Sequence, residues 1–228
     1  MVVAATRKNK KSRMLSKASK FRTLADVMKR LGDVPANRVR LDPPPGTATV
    51  ADVTRIQEKE GRICELVDGI LLEKTIGMRE SILALYLGRI LDAFVRPENL
   101  GIVLGTDGTI QIQLKLVRIP DVAFVAWDRF PNRCIPAEAA PLVVPNLAAE
   151  VLSKSNTRKE MAIKRVEYFH AGVELVWEID PKKRTVAVYT SPTEFAMLDE
   201  DETLEGGAVL PGFKLRLQEL FGELDRKG

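Results

Sequence analysis

Two carboxylates set 29 residues apart, Asp121 and Glu150, stand in runs that are otherwise apolar. Asp121 follows Pro120 at the opening of IPDVAFV, and Glu150 sits in the middle of LAAEVL. Each run predicts a strand. The proline-rich loop between them, with Pro131, Pro136, Pro141 and Pro145, lets the two strands lie side by side. A buried carboxylate without a partner is costly. A divalent cation supplies a partner to two of them, and hard oxygen ligands suit Mg²⁺ or Mn²⁺. Such an ion activates a water and stabilises negative charge on a phosphoryl group. Lys164 lies near the middle of the next predicted helix, on a face shared with Met161 and Tyr168, where an ammonium can point toward the two acids.

Other readings of the same residues stand beside this one. On position alone, Asp121 serves equally as a cap at a strand start, bonded to backbone N–H groups. Glu150 serves as an ion-pair partner of Lys164 or Arg165 without metal. Lys154 competes with Lys164, because its even offset from Glu150 puts both on one face if the strand runs on. Glu65, in a predicted hairpin, is a third acid for the site or an exposed carboxylate.

The rest of the composition removes several chemistries. His170 is the one histidine, which excludes a zinc site with two histidine ligands. It falls at the end of a predicted helix, where a histidine suits the helix dipole. Cys64 and Cys134 have no CxxC spacing and make no disulfide framework. Apolar residues make up 45% of the chain, enough for a sizeable core, and no apolar run approaches the ~20 residues that cross a bilayer. No secretory leader is visible, so the expected location is cytoplasmic, with no membrane partner.

Charge is unevenly spread. Residues 1–40 carry 12 Lys/Arg and 2 Asp/Glu, while the remaining 188 carry 23 and 29. Arg7, Lys8, Lys10, Lys11, Arg13, Lys17, Lys20 and Arg22 therefore form a basic arm. Such an arm binds a phosphate backbone by counterion release, or is a solvated tail.

The elements that must position the acids follow from capping and periodicity. Thr23-Leu-Ala-Asp26 and Thr49-Val-Ala-Asp52 are capping boxes, opening helices that end at Gly32 and Gly61. Pro43-Pro44-Pro45-Gly46 is a stiff connector between them. Two β-rich runs flank Asp68-Gly69, a hairpin signal. Residues 80–95 read as a helix packed on a sheet, then strands at 101–105, 109–114, 117–126 and 147–152. A helix capped by Ser155, Asn156 or Thr157 ends at Gly172. Strands at 174–180 and 184–190, an acidic loop at 199–205 and a short helix at 217–223 complete the chain. Trp127 and Trp177 read as core residues of their strands. The order predicts an α/β class with a mixed, α+β sheet. The division is 1–48, a basic arm with a short helix and Pro-rich connector, and 49–228, one domain.

In this order and spacing the runs ELVDG (65–69), IPDVAFV (119–125), AEVLSKSNT (149–157), KRVEYFHAGVELVWEIDP (164–181) and VLPGFKLRLQELF (209–221) resemble the Uma-two family of proposed endonucleases, of the PD-(D/E)XK class. The resemblance spans roughly residues 49–222. It implies a restriction-endonuclease-like core with flanking helices and an N-terminal hairpin. It also implies Asp121 and Glu150 as metal ligands, helped by the backbone carbonyl of Val151, and Lys164 as the water-activating or charge-stabilising group. The usual motif lysine, two residues after the second acid, is replaced here by Leu152. Many family members carry a histidine where this chain has Glu80-Ser81, which makes Glu80 a candidate outer ligand.

The main functional expectation is a Mg²⁺- or Mn²⁺-dependent phosphodiesterase acting on DNA, with RNA open as a substrate. A second is a nuclease-fold protein that binds nucleic acid or a protein partner without cutting. A third is an interaction module that dimerises through residues 23–60, and a homodimer fits the nuclease reading too.

Overall fold

The computed structural model describes residues 21–228. The arm residues Arg7, Lys8, Lys10, Lys11, Arg13, Lys17 and Lys20 lie outside the described residues. In chain order the elements are α1 (Leu24–Leu31), α2 (Val50–Glu60), β1 (Cys64–Val67), β2 (Ile70–Glu73), α3 (Met78–Val95), β3 (Gly101–Leu104), β4 (Ile110–Gln113), β5 (Leu116–Arg118), β6 (Val122–Ala126), β7 (Leu147–Val151), α4 (Arg158–Ala171), β8 (Leu175–Asp180), β9 (Thr185–Tyr189), β10 (Phe195–Leu198), β11 (Thr203–Glu205), β12 (Lys214–Arg216) and α5 (Leu217–Gly222).

Local chemistry sets the helix boundaries. Thr23 and Thr49 close capping boxes with Asp26 and Asp52, and Gly32 and Gly61 end α1 and α2 in the left-handed region. Gly32 is required twice over, since a Cβ there would lie 2.4 Å from the Glu160 amide nitrogen. Of the three residues proposed to cap α4, Thr157 does so, in a box with Glu160. Asp68 and Gly69 both take positive φ in the β1–β2 turn.

A six-stranded sheet runs β10-β9-β8-β7-β6-β3, parallel only between β7 and β8. A four-stranded antiparallel sheet runs β2-β1-β5-β4. Leu147, Ala149 and Val151 of β7 face the core made with α3 and α5, together with Leu175, Trp177 and Ile179 of β8. Strand alternation sends Ala148 and Val176 to the opposite face. There they pack with Tyr168 of α4, with α1, and with Val67, Ile70 and Leu72 of the hairpin. Glu150 shares the parity of Ala148, so it points to this second face, between the two sheets.

The span 117–126, expected as a single strand, is two. β5 belongs to the small sheet and β6 to the large one, and Ile119-Pro120-Asp121 is the crossing between them. Pro120 has no N–H for a ladder, so pairing stops there and the chain changes partner. β10, β11 and β12 went unrecognised in the sequence. β10 buries none of its residues and β11 and β12 bury only Leu204 and Leu215, too little for a legible alternation. Within the acid run 199–205, residues 203–205 are therefore strand, and Glu200 pairs with Arg184. Trp127 lies in a 3₁₀ turn, half-buried, its indole N–H donating to Asn99 Oδ1 at 2.8 Å. Trp177 is fully buried.

Residues 24–48, grouped in the sequence with the arm, pack against the same body. Val27, Leu31, Val34 and Val39 share a core with Val67 and Tyr168. Arg30 pairs with Asp68 at 2.6 Å and Glu167 at 2.7 Å. Arg38 is buried against Glu160 at 2.9 Å. The apolar faces of α1 and α2, the elements offered for dimerisation, are used within the chain through Val27, Leu31, Val53 and Ile56. Among the described residues no helix is long and apolar enough to cross a membrane.

Thr157 holds two elements at once: its hydroxyl accepts from the Glu160 N–H at 3.0 Å and donates to the Gly32 carbonyl at 2.5 Å. Thr157→Ala is expected to lower stability by about 1–2 kcal/mol, with Thr157→Ser restoring most of it, as read from urea unfolding midpoints.

Candidate active site

The crossing at Pro120 brings Asp121 to the edge of the seam between the sheets. Its N–H donates to the Ala149 carbonyl at 3.0 Å, and its Oδ2 accepts from the Val151 N–H at 2.7 Å. Asp121 thus caps the end of the β6–β7 pairing, and Val151 lies directly beside it. Glu150 is buried on the same side. Its Oε1 accepts from Lys164 Nζ at 2.8 Å and from the Tyr168 hydroxyl at 2.6 Å. Lys164 and Tyr168 are one helical turn apart on α4, so both reach the same oxygen.

Glu65 completes the group. It is 1% exposed, not the exposed hairpin carboxylate that its position allowed. Its Oε1 lies 3.0 Å from Lys164 Nζ and its Oε2 lies 2.6 Å from Arg118. Arg118 also pairs with Glu167 on α4. Lys164, not Lys154, is therefore the lysine brought to Glu150, while Lys154 is exposed in the β7–α4 turn. Arg165, the other suggested partner of Glu150, pairs with Glu178 at 2.6 Å. Glu80 turns back over the start of its own helix, where a Cβ on Gly77 would meet its Oε2 at 2.1 Å. His170 is exposed in the last turn of α4.

Two functional residues went unnoticed in the sequence, Lys74 and Arg118. Lys74 Nζ lies 2.8 Å from Asp121 Oδ1 and donates to the carbonyls of Ile119 at 2.7 Å and Thr106 at 3.0 Å. The period of two carried a signal for both. Lys74 continues the buried Ile70–Leu72 face, and Arg118 continues the face of Leu116. A charge on a core face is a buried charge.

Burial alone would raise the Glu65 carboxyl, but the Lys164 ammonium and the Arg118 guanidinium outweigh it and hold it at about 2. Burial pushes Glu150 up, Lys164 opposes that, and Asp121 and Glu65 add to it. Lys164 is raised despite its burial, because Glu150 and Glu65 favour its charged form. Burial and the nearby Glu150 keep Tyr168 a neutral phenol, well above its ordinary range. The inner carboxylates Glu65, Asp121 and Glu150 thus each meet a cation, from Lys74, Arg118 or Lys164, and Arg118 is shared with Glu167.

A divalent ion would find Asp121 and Glu150 here, two hard carboxylates, one just ahead of β6 and one on the neighbouring β7. Among the described residues no three His, Cys, Asp or Glu side chains come close enough to hold a metal unaided. A site with two carboxylates, a carbonyl and several waters matches the habit of Mg²⁺, which gives up its waters reluctantly. The donor chemistry fits such an ion.

A family model described as "Uma2: Putative restriction endonuclease" matches residues 27–218. The chain belongs to the Uma2 family. No curated protein matches it. Among solved structures it is similar to a crystal structure described as a putative nuclease belonging to DUF820 from Anabaena variabilis. The TM-score is 0.63 at 20% identity, covering 71% of this chain and 91% of that one. At that identity the match establishes the fold. It agrees with the mixed α/β, nuclease-like core expected for a Uma2 protein. The Uma2 match begins within α1, so it takes in the helix and connector that precede residue 49.

Two outcomes follow for this cluster. Lys164→Met leaves Glu150 and Glu65 buried without their shared cation and is expected to cost about 3–5 kcal/mol. Lys154→Met, on the surface, is expected to stay within about 0.5 kcal/mol. Urea unfolding of the two variants checks both. The second outcome concerns acid. Glu65 is held at about 2 against an ordinary 4.5, so its contribution to stability is present above about 4.5 and is lost as pH falls toward 2. Glu65→Gln should flatten that limb of a stability-against-pH curve, and an unchanged slope between pH 4.5 and 2 would contradict the assignment.

Proposed function

We propose that this Uma2 protein is a cytoplasmic, metal-dependent nuclease that hydrolyses phosphodiester bonds of DNA. The observation that carries the reading is the burial of Asp121, just ahead of β6, and of Glu150 on β7 at one seam, with the Lys164 ammonium bonded to Glu150. Carboxylates are rarely placed so at the expense of desolvation unless a cation is to be met.

Asp121 and Glu150, with the Val151 carbonyl, would hold Mg²⁺ or Mn²⁺. When bound, that ion lowers the pKa of water and stabilises charge on the phosphoryl oxygens. Lys164, whose charged form Glu150 and Glu65 favour, would stabilise negative charge on the scissile phosphate or take part in activating the water. Tyr168 orients Glu150 through its 2.6 Å hydrogen bond. Glu65, itself held by Arg118, fixes Lys164 from the other side. The basic arm, from Arg7 to Arg22, would supply sequence-independent hold on the phosphate backbone. A homodimer would set two such sites on the two strands of a duplex.

Two observations favour a second reading, a nuclease-fold protein that binds without cutting. Each inner acid already meets a cation of the chain itself, and Leu152 stands where the usual motif has its lysine.

The test is a cleavage screen with Mg²⁺ or Mn²⁺ over supercoiled, linear and single-stranded DNA and over RNA. The expected result is DNA cleavage that falls by at least about a hundredfold in Asp121→Ala and in Glu150→Ala, a loss of about 3 kcal/mol of transition-state stabilisation. Cleavage that survives both substitutions would sink the assignment. DNA binding with no cleavage of any substrate would favour the second reading, and cleavage confined to RNA would correct the substrate.

A further inference from the structure

Lys74 poses a question that the proposed reaction leaves open. Its ammonium, on a side chain only 9% exposed, meets three oxygens: Asp121 Oδ1, the Ile119 carbonyl and the Thr106 carbonyl, at 2.7–3.0 Å. A carboxylate flanked by two carbonyls is an all-oxygen set of the kind a hard cation takes. Asp121 has one other carboxylate oxygen, and the Val151 N–H holds it. Each Asp121 oxygen thus already accepts one contact, and a dication on Oδ1 would meet the Lys74 ammonium that sits 2.8 Å from it. The Lys74 charge also acts on Glu150 and on Glu65.

We infer that Lys74 is a resident counter-cation of the acid pair, which a divalent ion must displace from Asp121. The inference rests on the proposed metal site and adds a control to it. Each of the three acids already meets a cation of the chain itself, so a dication enters a seam that holds its own counter-charges. Adding Mg²⁺ or Mn²⁺ alone raises the net charge of the buried seam by two, a cost in a place of low polarity. A DNA phosphate arriving with the ion brings negative charge with it, and the released Lys74 ammonium has a phosphate oxygen to meet. Metal loading is therefore weak without nucleic acid and strong with it. The hairpin position suits this motion. Lys74 follows the last residue of β2, its N–H still donating to Ile63 at 2.9 Å, so the backbone stays fixed while the long side chain swings.

Lys74→Met keeps the apolar stem and removes the charge. Calorimetric titration with Mn²⁺, without DNA, is expected to show binding at least about tenfold tighter in Lys74→Met than in wild type, or 1.4 kcal/mol. In wild type, a short DNA duplex should tighten Mn²⁺ binding by a similar factor. Asp121→Ala should abolish binding in either background. If Lys74→Met binds Mn²⁺ no more tightly than wild type, Lys74 is a structural strut and the inference falls while the metal site stands. If neither protein binds Mn²⁺ with or without DNA, the metal site falls and the inference with it. A second measurement uses the wild type alone, should Lys74→Met not fold. Acetylation of Lys74 by an activated ester, read by mass spectrometry, is expected to speed up several-fold when Mn²⁺ is added. An unchanged rate under Mn²⁺ that saturates the calorimetric signal would overturn the displacement.

Discussion

Buried charge at the seam between two sheets is the constraint on which the rest of this structure depends. Glu65, Asp121 and Glu150 come from β1, from the β5–β6 crossing and from β7, and each lies in a place where an uncompensated carboxylate would cost several kcal/mol. They persist because Lys74, Arg118 and Lys164 come from three further places to meet them. Each cation thereby ties two parts of the fold together. Lys74 fastens the hairpin to the crossing, Arg118 the small sheet to α4, and Lys164 joins β1 to β7 through a single ammonium.

The crossing itself is a consequence of one residue. A continuous strand from 117 to 126 would have kept both halves in a single sheet. Pro120 interrupts the ladder, and the chain leaves the four-stranded sheet for the six-stranded one within three residues. Asp121 is the first residue after the break, where its carboxylate both closes the β6–β7 ladder through Val151 and faces the seam. One oxygen makes the cap weighed for it, through the Val151 N–H, and the other meets the Lys74 ammonium. Glu150 likewise makes the ion pair with Lys164 that its position allowed, and the pair favours the charged form of the lysine.

The N-terminal elements support the site from outside. α1 lies on α4 through Gly32 and Thr157, and Arg30 reaches both Asp68 and Glu167. Glu167 in turn holds Arg118. A run of alternating charges thus passes from the surface helix to the inner carboxylates. Residues 24–48 belong physically to the body that α4 and the hairpin build, since their apolar faces have no other cover.

The sequence alone determined the helices, because capping boxes and glycine ends are local and owe nothing to the rest of the chain. It also determined the hairpin and the strand of Glu150, and it marked both acids as charges set in apolar runs, while the single strand expected over 117–126 proved to be two. It left Lys154 and Lys164 both open as the partner of Glu150, and the structure brings Lys164 there. Tertiary structure alone decided which charges meet. Strand parity puts Glu65, Lys74 and Arg118 on core faces, but parity gives a face and not what lies opposite it. Lys74 finds Asp121 and Glu65 finds Lys164 across separations of 47 and 99 residues. Those meetings exist only because the chain changes sheets at Pro120 and lays the hairpin against α4. The weak strands near the C-terminus were illegible for a related reason: they bury so little that their pairing is set by neighbours and not by their own pattern.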